Sequence, residues 1–450
     1  MKLLSRNRTL LLVVLIAFML RIITMLYSFQ FRENTDVLRY KDWGKIAFLY
    51  SLEETYHATH LEFGTQANNQ PPGSLYIISG AYNLQIQFSK ILLRIFNLEE
   101  GGSIWINVQL LYAFLRLPSI LSDLIIGVLI YAIASRQSVN NGLLASSLFL
   151  FNPLIVYNSA FWGQMDSINN MFFLTAIFFL MKRKYFFSLI ILSLSFYVKL
   201  SLIFFLPILI VVYYLLEKNK KKLLISCVLS IVLMCLITLP ISGKPHVWLF
   251  EFLTKNGLGE MQNITAFAFN FWWMIFHPFV QIGNPDNLFT FSKVELINSP
   301  LSSTLHLGFS LMQWSLFIFA VLLFPILNIA VKLKNRILEG RNLFLILSIA
   351  AMTAFIVLPQ MHERYLYPFF PLFAIYIGLT KKSIGKFLLL SLFNLINLYI
   401  VWHPMKIAIM PYFLMNNSTF QWLISAGIVA TGVSLYISSI KNFLAYGKTK

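Results

Sequence analysis

Residues 9–29 read TLLLVVLIAFMLRIITMLYSF, a run in which Arg21 is the one charged side chain. A helix of about 20 residues rises about 30 Å, the thickness of a bilayer's hydrocarbon core. The rest of the chain has the same character. Of its 450 residues, 58% are apolar and 12% charged, with 43 Phe. A soluble domain carries about a quarter charged residues, so this composition excludes a water-soluble enzyme. It also excludes a disordered chain, which could not leave so much apolar surface uncovered. The net charge is +18; on a chain this apolar, the excess faces anionic lipid headgroups rather than nucleic acid. Cys227 and Cys235 lie inside one apolar run, which implies neither a disulfide framework nor a cysteine zinc site.

Working outward, apolar runs recur at 9–29, 110–134, 142–158, 168–181, 185–198, 201–216, 223–240, 305–331, 343–360, 367–380, 386–402 and 420–440. Backbone polar groups in lipid must bond within their own segment, so the runs are read as helices. The expectation is an all-α integral membrane protein: one polytopic domain, 1–450, built as a bundle of about twelve transmembrane helices. The first run is long, lacks a small-residue cleavage site and leads into further spans, so it reads as an anchor rather than a cleaved signal.

Lys and Arg set the orientation. With the N-terminus inside, the inner segments are 1–8, Arg136, 182–184, 217–222, 332–341, 381–386 and 441–450, which hold 21 basic residues against Glu217 and Glu339. The remainder holds 14 basic and 15 acidic residues. That asymmetry predicts a multi-pass protein of the cell (inner) membrane, both termini cytoplasmic and any active site extracytoplasmic. It also bears on 74–96, SLYIISGAYNLQIQFSKILLRIF. Counted as a span, this stretch would place Asn83, Gln85, Gln87 and Lys90 in hydrocarbon and move nearly every basic loop outside. It is therefore assigned to a first outer loop, 30–109, with 241–304 as a second. Within the first, Trp43, Ile46, Ala47 and Tyr50 recur at helical spacing, predicting a helix on the membrane surface. The sequons at Asn263 and Asn417 fall on the outer side.

Few polar residues remain as candidates for chemistry. Asp36, in Asn34-Thr-Asp-Val-Leu-Arg-Tyr-Lys-Asp-Trp43, is placed to take a proton from a hydroxyl, or is a solvated loop carboxylate. Trp162, Gln164 and Asp166, in Phe161-Trp-Gly-Gln-Met-Asp166, suit a sugar: an aromatic plane for its apolar face, amide and carboxylate for its hydroxyls. The alternative is an interfacial turn. In Met361-His-Glu-Arg-Tyr-Leu-Tyr-Pro368, Arg364 is the natural partner of a phosphate, with His362 and Glu363 to shuttle a proton or orient it; the alternative is an internal Glu–Arg clamp. Lys199 either reaches the same phosphate or snorkels to the interface. Arg116 and Asp123, seven apart, read as a structural pair, while Arg21 either snorkels or faces a cavity. His57 and His60 near Glu53 and Glu54 are weak as a metal site.

Taken in order, several segments resemble the GT-C class of polytopic glycosyltransferases, in particular bacterial and archaeal mannosyltransferases related to GPI mannosyltransferase II. They are Thr35-Asp-Val with Tyr40 and Trp43, Gln70-Pro-Pro-Gly-Ser-Leu-Tyr76, the stretch 115–124, Phe151-Asn-Pro through Asp166, Tyr197-Val-Lys199, 263–273 and 361–368. Leu200 stands where the family has proline after the lysine. The run Thr265-Ala-Phe-Ala-Phe-Asn270 departs from the usual Asn-Ala-Phe-Asn, leaving Asn263 and Asn270 as alternatives for one pocket position. The resemblance implies a mannosyltransferase taking a sugar from a polyprenyl-phosphate donor to a lipid or glycan hydroxyl, with inversion. Asp36 would be the catalytic base. Arg364, His362 and Lys199 would hold the donor phosphate, and Trp162, Gln164, Asp166, Glu363, Asn270 and Tyr40 would line the pocket. No nucleotide or redox cofactor is called for, and a divalent metal is left open but not favoured. The alternatives are a lipid-linked-sugar transporter or flippase and a polysaccharide polymerase.

Overall fold

The computed structural model describes residues 8–31, 33–57, 66–96, 104–258, 264–282, 309–402 and 418–448. In chain order the helices are α1 (Arg8–Ser28), α2 (Thr35–Leu49), α3 (Pro72–Ile95), α4 (Ile104–Ala134), α5 (Val139–Leu150), α6 (Asp166–Met181), α7 (Tyr185–Val198), α8 (Leu206–Leu216), α9 (Lys220–Thr238), α10 (Pro245–Leu258), α11 (Phe271–Ile282), α12 (Leu311–Leu333), α13 (Gly340–Val357), α14 (Phe369–Thr380), α15 (Ile384–Val401) and α16 (Ser418–Lys448). Two-residue strands β1 (Thr265–Ala266) and β2 (Met361–His362) pair in parallel. The chain divides into two compact units, one of Met1–Leu129, Ile155–Ser201 and Lys221–Leu258, the other of Ile130–Leu154, Leu202–Lys220 and Gly259–Lys450.

The protein crosses a membrane several times, but with fewer spans than the twelve apolar runs suggest. Among the described residues, seven helices are long and apolar enough to cross: α1, α4 from Val108, α9, α12, α13, α15 and most of α16. An eighth follows if α5 and the segment Pro153–Trp162, bent by 48°, count as one broken span. The runs at 168–181, 185–198, 201–216 and 367–380 are helices of 10–17 residues. At 1.5 Å per residue these fall short of the core's thickness. Composition cannot separate them from spans, because a short helix buried in protein is as apolar as one bathed in lipid. The expected twelve-helix, GT-C-like bundle is therefore corrected to seven, or up to eight, helices among the described residues that are long and apolar enough to cross.

In the first unit, α1 is apolar on every face and turns Leu10, Ala17, Arg21, Met25 and Ser28 inward, leaving the rest for lipid. α2 starts where the Asn34 side chain caps it, accepting from the Val37 amide at 2.9 Å. Of the stripe read as a membrane-facing surface, Trp43 and Ile46 are turned into the protein, each 2% exposed, while Tyr50 stays 53% exposed. Tyr40 and Trp43 join Leu75, Ile78 and Leu115 in one core. α6 and α7 form a hairpin about the basic turn 182–184.

The second unit is built round α13, every residue of which is buried from Asn342 to Val357; it packs against α12, α14 and α16. Gly378 on α14 permits a close approach, because a Cβ there would meet Ala145 at 2.8 Å and Ala134 at 2.9 Å. Of the second expected outer loop, α10, β1 and α11 are described; Asn263 and Asn417 lie outside the described residues.

Candidate functional site

The polar residues of the first unit gather about the break between α5 and α6. There the chain leaves a helical turn at Pro153–Val156, widens into a π-helix over Tyr157–Trp162, and reverses at Gly163. Gly163 has φ +84°, and a Cβ would meet Val37 Cγ2 at 2.9 Å and Arg116 Cγ at 3.0 Å, so both its backbone conformation and its surroundings require glycine. A π-helix inserts one residue per turn and recurs at functional sites. The Gln164 amide bonds back to the Asn158 carbonyl at 2.9 Å.

The start of α2 clamps this turn. Asn34 Nδ2 donates to the Trp162 carbonyl at 2.6 Å, and Gln164 Nε2 donates to Asp36 Oδ2 at 2.6 Å. Arg116, wholly buried, donates to Glu33 Oε2 at 2.6 Å and to the Phe161 carbonyl at 3.3 Å. Asp166 opens α6 and accepts from Lys199 Nζ, at the end of α7, at 2.5 Å. Both are nearly buried, so Lys199's charge is met by a carboxylate rather than by solvent. Tyr40 lies at the edge of the group, with its hydroxyl 3.4 Å from Gln70 Nε2.

Behind this layer sits a second buried charge cluster. Arg21 Nε donates to Asp123 Oδ2 at 3.0 Å, and Asp123 also accepts from Ser159 at 2.5 Å and Ser167 at 2.7 Å. The expected Arg116–Asp123 pair gives way to two others: Arg116 meets Glu33, just before the α2 cap, and Asp123 meets Arg21 on α1. Seven residues along a helix is about 10 Å, too far for direct contact between the two. Arg21 neither snorkels nor stands alone.

In the second unit, β1 and β2 fix the 361–364 segment. Thr265 aligns with Met361 and Ala266 with His362, while Gln360, at φ +60°, bonds to the Ile264 carbonyl at 3.1 Å. Glu363 is 1% exposed and accepts from Arg364 NH1 at 2.9 Å, with His362 Nδ1 3.8 Å away. Burial alone would push its carboxyl up, but the Arg364 guanidinium and the His362 ring outweigh it and hold the group below the usual range. Asn394 anchors the same residue by donating to the Glu363 carbonyl at 2.7 Å. Asn270 spends its amide on packing, with Nδ2 to the Phe355 carbonyl and Oδ1 from the Trp273 amide, both at 3.2 Å.

Asp36, Tyr40, Trp162, Gln164, Asp166 and Lys199 thus belong to the first unit, and Asn270, His362, Glu363 and Arg364 to the second. His60, needed for the metal reading, lies outside the described residues. The sequence singles out neither Glu33 nor Asn158 as a site residue. Glu33 sits one residue before the α2 cap; Asn158 is a buried amide in an otherwise apolar run, and that mismatch was the available signal.

One family model matches, that of GPI transamidase subunit PIG-U, over residues 62–277. The match spans just under half of the chain and takes in the 158–166 turn, Lys199 and Asn270, but not Asp36 or 361–364. No curated protein matches. The PIG-U match overturns the expected membership of the GT-C glycosyltransferases. With it go sugar transfer from a polyprenyl-phosphate donor, the mannosyltransferase assignment, and the donor and acceptor expected as partners. Over residues 62–277 the chain is similar to a transamidase subunit.

Proposed function

We propose that this chain is a non-catalytic membrane subunit of a multi-protein assembly, partnered with the other subunits of a GPI-transamidase-type complex. The observation that carries the reading is the PIG-U match over 62–277. The site geometry fits it: the candidate acidic groups are engaged, Asp36 by Gln164, Asp166 by Lys199 and Glu363 by Arg364. Groups held this way can position a ligand's polar end or brace a docking face. The candidate residues are thus assigned to holding, with Trp162, Gln164 and Asp166 as the polar centre of the first unit.

Orientation belongs to the same proposal. Within the first unit, Tyr76 donates to the Ile237 carbonyl at 2.7 Å, and the Tyr197 and Thr238 hydroxyls lie 2.9 Å apart. The start of α3 and the ends of α7 and α9 therefore share one level with the Asp166–Lys199 pair. Arg8 falls at the opposite end of α1 from Glu33 and the α2 cap. By the cluster of Lys and Arg before α1, that end faces the cytoplasm and the polar centre faces away.

The test pairs deletion with isolation. In membranes from cells lacking the chain, attachment of glycolipid anchors to proteins is expected to stop. The chain purified alone is expected neither to cleave nor to transfer. Unimpaired anchoring in the deletion, or turnover by the isolated chain, overturns the reading.

A further inference from the structure

α3 has the length of a span without the composition of one. It runs for 24 residues, yet it is not among the seven helices of the described residues that are apolar enough to cross a membrane. Its second half is two-faced. Ala81, Gln85 and Ser89 are buried, with Gln85 Nε2 donating to Ser89 Oγ at 2.8 Å. On another side, Leu84, Phe88, Ile91 and Ile95 stand 42–65% exposed. Spacings of four, three and four gather these four side chains into one stripe, about 60° wide at 3.6 residues per turn. Lys90 and Arg94, both exposed, follow one edge of the stripe, and no acidic residue occurs anywhere from 72 to 96. The rings of Phe88 and Phe114 meet at 5.7 Å. Val108 opens the spanning stretch of α4, and Phe114 lies only about 9 Å further along it. The stripe therefore begins beside a helix that is just entering the bilayer.

We propose that α3 from Leu84 to Ile95 lies on the membrane surface and docks on anionic lipid. Large apolar side chains exposed in an unbroken row mark a surface that something apolar covers. A helix with one apolar face and a basic edge sinks that face to the boundary between headgroups and acyl chains and keeps its charges among the headgroups. Lys90 and Arg94 reach that layer along their own apolar stems. Charge then selects the lipid: with no acid in the helix to offset them, the two cations favour anionic headgroups over zwitterionic ones. Position favours lipid over a protein partner, because Phe88 rests against α4 close to where α4 enters the bilayer. The inference concerns the chain by itself and does not rest on membership of a complex.

The full chain, with Cys227 and Cys235 replaced by serine, is reconstituted in vesicles of equal parts phosphatidylcholine and phosphatidylglycerol. It carries a bimane fluorophore on Ile91→Cys or on Ile95→Cys; both positions are exposed, so either variant serves if the other fails to fold. The fluorophore is expected to be quenched by lipids bearing a nitroxide high on the acyl chain. It should be spared by iodide in the water, at a salt concentration that screens the vesicle charge. Nitroxide-bearing phosphatidylglycerol should quench as though enriched about fivefold over nitroxide-bearing phosphatidylcholine, the worth of one basic side chain at an anionic surface. Lys90→Gln together with Arg94→Gln should bring the two lipids level while the fluorophore stays shielded from iodide. Quenching by iodide and not by the labelled lipids would put the stripe in water, open to a protein partner, and overturn the proposal. Equal quenching by the two lipids with Lys90 and Arg94 in place would also overturn it, as would a preference for phosphatidylglycerol that survives the loss of both charges.

Discussion

Arg21 and Asp123, 102 positions apart in the chain, meet at 3.0 Å with no exposure on either side chain. The pair joins the first spanning helix to the second, and Ser159 and Ser167 bring the α5–α6 break and the start of α6 onto the same carboxylate. Removing one partner leaves a buried charge uncompensated, which costs about 3–5 kcal/mol. Arg21→Leu and Asp123→Leu are each expected to lose stability on that scale. The double variant should lose less than the sum, by about 1–3 kcal/mol, as groups in one network do. A double-mutant cycle of unfolding in mixed micelles measures it, and strict additivity would show that the two charges are not coupled.

Glu363 gives a pH signature. Its carboxyl lies lower in the folded chain than the ordinary 4.5, through Arg364 and His362 acting against burial. A group depressed on folding contributes its stability in full above the unfolded value and loses it as the pH falls through the folded one. Melting temperature should therefore hold level on this account from pH 7 to about 5 and begin to fall below about 4.5. Glu363→Gln should melt lower at pH 7 and lack that part of the acid decline. Parallel pH profiles for the two proteins would contradict the pairing.

Two glycines should answer in opposite directions to the same substitution. Gly163→Ala places a Cβ at φ +84° within 2.9 Å of Val37 and 3.0 Å of Arg116, and a strained backbone of this kind costs about 1–3 kcal/mol. Because Gly163 aims Trp162 and Gln164, the variant should also loosen the Gln164–Asp36 contact. Gly80 lies exposed in α3 with nothing within 4 Å of a new Cβ. Gly80→Ala should stabilise by about 0.4–1 kcal/mol through the unfolded chain. Thermal melts of the two proteins side by side provide the check.

The membrane character was legible because long apolar runs leave the chain no other solvent. The number of crossings was not, since 168–181 and 367–380 match true spans in composition and differ only in length. Partner choice was hidden for a different reason. Arg116 and Asp123 share a helix face seven residues apart, which suggests a pair, but their actual partners, Glu33 and Arg21, come from elsewhere in the chain, and only the packed structure brings them together. The Trp162–Asp166 segment stood out as polar residues between apolar runs, and it does hold a polar centre. Its resemblance to a glycosyltransferase rested on short motifs spread along the chain, and a contiguous match over 62–277 outweighs these.

The last prediction concerns parity. Seven crossings put the termini on opposite sides of the membrane, and eight put them on the same side, so the bent pair of α5 and Pro153–Trp162 decides the matter. The basic segments near both ends, Lys2 to Arg8 and Lys441 to Lys450, favour the same side, because Lys and Arg near spans collect in the cytoplasm. The bend itself is no obstacle: Pro153 and a π-helix are recognised causes of kinks in a helix that continues across. With Cys227 and Cys235 replaced by serine, single cysteines are introduced by Arg8→Cys and Lys448→Cys. Both are expected to resist a membrane-impermeant maleimide in intact cells and to react once the membrane is opened. Glu54→Cys should react in intact cells. Labelling of Lys448→Cys from outside would leave seven crossings and make the bent segment a re-entrant loop.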